Sequence, residues 1–130
     1  MISYLDYTCP YSRKLFQTLH PAITSLVTQK YSTTLRLIFR QQIQPWHPSS
    51  TLCHEAALAV LRLAPTEFWE YSAALFERQT EFFDASVVGE GRNETYGRLV
   101  RLAEERVGVD GGEMMALLRI AEGGRRGGVE

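Results

Sequence analysis

The amino-acid sequence predicts an α/β chain that opens as a strand, helix, strand unit and continues as helix alone. Three observations lead there. Two short segments, 2–7 and 33–42, are rich in β-formers; the stretch between them repeats apolar residues at spacings of three and four; and beyond residue 50 the apolar residues keep the helical period. With 130 residues, 45% of them hydrophobic and 22% charged, the chain suits one compact domain whose core needs no metal or disulfide. That domain is expected over 1–122, as a βαβ part (1–48) and a helical part (49–122), with a disordered tail over 123–130.

Segment 2–7 is apolar on both faces, with Ile2 and Tyr4 on one and Leu5 and Tyr7 on the other, as in a strand buried on both sides. The helix after Pro10 presents Leu15, Leu19, Ile23, Leu26 and Val27, and Pro21 inside it should bend it by removing a backbone donor. In 33–42 the period returns to two, with Leu35, Leu37 and Phe39 on one face and Arg36, Ile38 and Arg40 on the other. A helix between two strands makes them parallel neighbours. Prolines and serines over 44–50 break the regularity.

A helix then runs from Thr51 with Leu52, Ala56, Val60 and Leu63 inward, and Pro65-Thr66 interrupts it. Phe68, Ser72, Leu75, Phe76, Gln79, Phe82 and Phe83 form a wide apolar face that belongs to the core. Segment 87–92 reads as a loop and Asn93 as the N-cap of a helix carrying Tyr96, Leu99, Val100, Ala103 and Val107. Asp110 and Glu113 have the spacing of a capping box for a last helix that buries Met114, Leu117, Leu118 and Ala121.

Charge and cysteine content exclude several functions. Lys and Arg total 14 against 15 Asp and Glu, a net charge of -1, so there is no basic footprint for nucleic acid or an anionic membrane. The halves differ in sign: residues 1–64 carry 6 basic and 2 acidic side chains (+4), residues 65–130 carry 8 and 13 (-5). Two cysteines, Cys9 and Cys53, make neither a disulfide framework nor a C-x-x-C pair. The spacings of Cys9, His20, His47, Cys53 and His54 match no zinc pattern, so no metal is expected. No apolar run is long enough to span a membrane and no signal-peptide order opens the chain, which therefore reads as soluble and cytoplasmic.

The chemistry concentrates in Asp6-Tyr7-Thr8-Cys9-Pro10-Tyr11-Ser12, where a strand runs into a helix whose start holds a cysteine. Unpaired amides and the positive end of the helix dipole favour thiolate there, and Arg13 and Lys14 add positive charge. Proline at the first helical position costs nothing, since that N–H has no partner in the helix. Ser12 stands three residues after Cys9, where a C-x-x-C pair would place its second thiol, and its hydroxyl is positioned to donate to the thiolate. Asp6 offers a carboxylate close by. His47 lies in the loop after the second strand, on the same carboxyl edge as Cys9, where it would line a substrate groove. Cys53 reads as a small buried hydrophobe.

Leu5 to Ser12, the helix after it, the strand near 35–42 and the long helical stretch together resemble the DsbA-like branch of the thioredoxin superfamily. Pro45-Trp46-His47-Pro48-Ser49-Ser50-Thr51 leading to His54-Glu55-Ala56-Ala57, with Phe68-Trp69 beyond, is similar in particular to the fungal thioredoxin-like proteins of that group. The resemblance implies a thioredoxin-like βαβ unit with an all-helical insertion and the C-terminal half of the sheet missing. It implies Cys9 as nucleophile, Ser12 in the place of a second catalytic cysteine, and Pro10 and Tyr11, with His47, near the substrate. The chemistry implied is monothiol exchange, giving mixed disulfides with glutathione or protein thiols, with glutathione as co-substrate and no bound cofactor. The alternative is a non-catalytic remnant that serves as a binding or structural module. Family members have a strand ahead of the motif strand, and two strands, a cis-proline and a helix after the insertion; relative to that pattern the sheet is cut on both sides. Unpaired edges then predict a homodimer through an exposed strand edge, or low stability.

Overall fold

A computed structural model of the protein describes residues 1–29, 31 and 33–121. The expected tail, 123–130, lies outside them. Strand β1 (Ile2–Leu5), helix α1 (Pro10–Gln29) and strand β2 (Ile38–Gln41) form the opening unit, and the strands pair in parallel with Ile2 opposite Ile38 and Leu5 opposite Gln41. The remainder is helical: α2 (Ser50–Leu63), a 3-10 turn at Pro65–Glu67, α3 (Phe68–Glu77), a second 3-10 turn at Gln79–Phe82, the short α4 (Asp84–Val87), α5 (Arg92–Val107) and α6 (Gly111–Leu118). The fold is thus mixed α/β, mostly helical, with a small parallel sheet. Among the described residues no helix is long and apolar enough to cross a membrane.

Alternation along the strands decides which face is covered. Ser3 and Leu5 are buried, and Phe39 stacks on Tyr7 (5.4 Å between rings) and meets Phe68 edge-on (5.4 Å). On the other face Ile2 and Tyr4 are 53% and 63% exposed. Segment 2–7 is therefore covered on one face only, against the two-sided burial its composition suggests. One hydrophobic cluster joins Leu5, Tyr7 and Phe16 to the buried residues of α2, α3, α5 and α6.

Helix α1 is continuous through Pro21, and its inward face is Ser12, Phe16 and Ile23 rather than the leucine stripe; Leu15 and Leu26 are exposed. Phe16 wins because its ring meets Phe39, Phe76 and Trp69 at once, fixing the helix rotation. Strand β2 is shorter than 33–42, since 33–34 form a turn. The buried face of α2 centres on Cys53, Ala56, Ala57 and Val60, with Leu52 and Leu63 at its margin. Small residues there let α3, α5 and α6 all pack on α2.

The long aromatic stretch is broken at Arg78, so Gln79 turns inward on a 3-10 turn. The expected loop over 87–92 is shorter, because α4 includes Val87 and α5 already starts at Arg92. Helix α5 is capped not by Asn93 but at Gly91, whose N–H donates to the Glu94 carboxylate at 2.5 Å. The Asn93 amide instead pairs with the Ile120 main chain, donating at 3.0 Å and accepting at 3.0 Å. Asp110 caps α6 as expected, accepting from Glu113 N–H at 2.9 Å, but the helix ends at Leu118 and leaves Ala121 exposed. Gly108 ends α5 at φ +67° with open space around a would-be Cβ. Gly108→Ala should therefore lower stability by about 1 kcal/mol through backbone strain alone, measurable as a lower urea midpoint at unchanged slope.

Candidate functional site

The end of β1 turns tightly into α1. Cys9 N–H donates to Asp6 O at 3.1 Å, and Cys9 O accepts from Arg13 N–H at 3.0 Å, the first bond of the helix. Cys9 is thus the N-cap and Pro10 the first helical residue, as the sequence suggests. The Cys9 side chain is only 7% exposed, and both cysteines are free. The Gln79 side-chain amide reaches across from the 3-10 turn to donate to Tyr7 O (2.8 Å) and Cys9 O (3.3 Å). These two bonds hold the motif's backbone against the helices.

Asp6 is the hub of the site. It is buried, yet its carboxylate accepts from Thr8 N–H (3.1 Å), the Thr8 hydroxyl (3.2 Å), Gln44 N–H (2.9 Å) and the Ser50 hydroxyl. His47 Nδ1 stands 3.1 Å from Oδ2, and His54 Nε2 3.7 Å from Oδ1. Burial alone would raise its pKa, but the His54 contact and the hydrogen bonds from Ser50, Gln44 and Thr8 outweigh burial and hold the carboxyl far below the usual range. Asp6 is a fixed negative charge, not a proton carrier for Cys9. It ties the end of β1, the loop after β2 and the start of α2 to one point.

Ser12 is buried and its hydroxyl accepts from Asp6 N–H at 3.2 Å; among the described residues no hydrogen bond joins it to Cys9. Tyr11 stands in solvent, 84% exposed. Pro10 and His47, however, come together: with Thr8, Ser49, Phe83 and Asp84 they line a groove of about 210 Å³, which the two chain neighbours of Cys9 border but Cys9 itself does not line. Ser49 donates its N–H to Asp84 (2.9 Å), while its buried hydroxyl has no partner among the described residues. Cys53 sits in the core, its thiol pushed up to about 12 by burial and by the charge of Asp6. His20 stacks on Trp69 (5.3 Å), about two turns further along α1 than the motif, and no group of acidic, His or Cys side chains among the described residues is arranged to hold a metal ion.

His54, Ser50 and Gln79 are the site residues that sequence reading missed. His54 donates its other nitrogen to the Gln41 side chain, joining α2 to β2. A visible signal was Gln79, which with Ser72 is a polar residue in a mostly apolar stripe.

No family model matches the chain, and no curated protein or solved structure significantly similar to it is found.

Proposed function

We propose that the protein exchanges thiols with disulfides through Cys9, in a thioredoxin-like arrangement where the helices from α2 onward form a DsbA-type insertion. The observation that carries this reading is the placement of Cys9. It caps a 20-residue helix directly after a parallel strand, at the carboxyl edge of the sheet and beside a groove. A helix N-terminus stabilises negative charge on a sulfur being displaced there.

The reaction follows from the residues. The Cys9 thiolate attacks one sulfur of a disulfide, a new S–S bond forms, the old one breaks, and the other sulfur leaves as thiolate and takes a proton from water. With Ser12 in place of a second thiol, nothing in the motif displaces the bound partner. The mixed disulfide with glutathione or a protein thiol therefore persists until an external thiol attacks it. His47 and Pro10 flank the groove where that partner would lie.

A second reading has its own support: Cys9 is almost fully covered and its backbone is clamped by Gln79, which suits a non-catalytic binding or structural module. Treatment with oxidised glutathione followed by intact-mass analysis separates the two. A single adduct is expected, lost in Cys9→Ser and kept in Cys53→Ser. No adduct, or one that survives Cys9→Ser, favours the second reading.

A further inference from the structure

Among the described residues, the strand edge away from Cys9 carries main-chain groups with no hydrogen-bond partner. Ile38 N–H bonds Met1 O at 2.9 Å and Gln42 N–H bonds Leu5 O at 3.0 Å. A parallel ladder engages alternate residues of a strand, so the N–H and C=O of Phe39 and Gln41 point to the free edge. Beside that edge runs a groove of about 560 Å³, walled by Leu58 and Leu61 of α2 and by Phe68 and Trp69 of α3. Leu58 and Leu61 are 48% and 41% exposed.

The groove's charge is one-sided. Arg40 lines it, and neither strand carries an acidic residue. Among the described residues Arg36 and Arg40 have no salt bridge, whereas Arg78, Arg92, Arg98 and Arg106 each hold a glutamate.

We propose that the free edge of β2 is a docking site for an extended polypeptide segment in which apolar and acidic residues alternate. Strand parity sets that pattern. Phe39 faces the helices, while Arg40 faces the open side, and Arg36, in the irregular stretch just ahead of β2, is exposed as well. A strand laid along β2 divides its side chains in the same way. One set packs on Leu58, Leu61, Phe68 and Trp69, and the other stands beside the two arginines. Main-chain bonds to Phe39 and Gln41 give affinity, and the alternation gives selection. A second copy of the chain suits the edge less well, because pairing two β2 strands brings two Arg40 side chains onto one sheet face with no strand carboxylate between them, and like charges across strands repel. The proposal does not depend on the chemistry of Cys9.

The probe is fluorescein-labelled Val-Glu-Val-Asp-Val-Glu amide, titrated with the full chain by fluorescence anisotropy. Saturable binding is expected. A version with lysine for each acidic residue should bind about fivefold weaker or worse. Of two versions N-methylated on alternate amides, the one that blocks the edge-facing amides should lose about tenfold. Arg40→Glu, at an exposed position, should reverse the preference between the acidic and lysine peptides. The proposal is overturned by absent binding, by equal binding of the acidic and lysine peptides, or by indifference to both N-methylation patterns. A dimer in sedimentation velocity that the acidic peptide leaves intact would overturn it in favour of a second copy. Should Arg40→Glu fail to fold, the N-methylated pair on the unaltered protein still decides.

Discussion

Asp6→Asn is expected to cost about 3 kcal/mol of folding free energy, a large share of what a domain of this size has to lose. The carboxylate accepts from four donors and faces two histidines, and an amide can accept on only one of its two polar atoms. At the other atom, donors on Gln44 or Thr8 and Ser50 are left facing an NH₂ group. The sign of the pH dependence follows from the direction of the shift. The folded carboxyl titrates below its unfolded value, so its stabilisation is complete above the ordinary carboxylate range, near 3.8, and is lost as pH falls through the folded value. Urea midpoints measured between pH 7 and pH 2 should fall at the acid end for the unaltered protein. The Asp6→Asn midpoint should start lower and lack that share of the fall. Parallel curves would show that Asp6 is not the linked group.

Phe76→Ala should be at least as damaging, at about 3–5 kcal/mol. Phe76 is fully buried, and its ring touches Phe16 of α1 (4.8 Å), Tyr7 after β1 (5.1 Å) and Phe39 of β2 (6.5 Å). It is the point where α3 meets every part of the opening unit. A two-stranded sheet has little capacity to close around the void, so most of the cavity cost should remain. Chemical denaturation should show a large drop in midpoint, and near-ultraviolet circular dichroism should show the aromatic cluster loosened. A loss below about 1 kcal/mol would mean that the opening unit does not rely on this contact.

The order of elements was legible because period two and period 3.6 alternate cleanly over the first 42 residues and only the second persists afterwards. Strand parity was legible too, since Phe39 faces inward and Arg40 outward. Helix rotation was not. In α1 three leucines outnumber the aromatic residue that governs, and in α2 the face that packs is built largely of small residues, which pattern counting weighs lightly. Caps were half legible: Asp110 follows the local rule, while Asn93 is drawn away by Ile120, a partner 27 residues distant. Of the site, the Cys9 to Ser12 turn and the nearness of His47 were visible as spacing and sheet edge. The Asp6 hub was not, because its partners at 44, 47, 50 and 54 converge only after β2 and α2 have docked.

Cys53 gives the molecule an internal clock. Its sulfur lies among Ala56, Ala57 and the aromatic rings of the core, closed to reagents as long as the helices stay together. Every modification at that position therefore records an opening of the core rather than an encounter at the surface. Read alongside Cys9, it lets one sample report two rates at once, that at which the turn from β1 into α1 uncovers its thiol and that of the whole helical assembly coming apart.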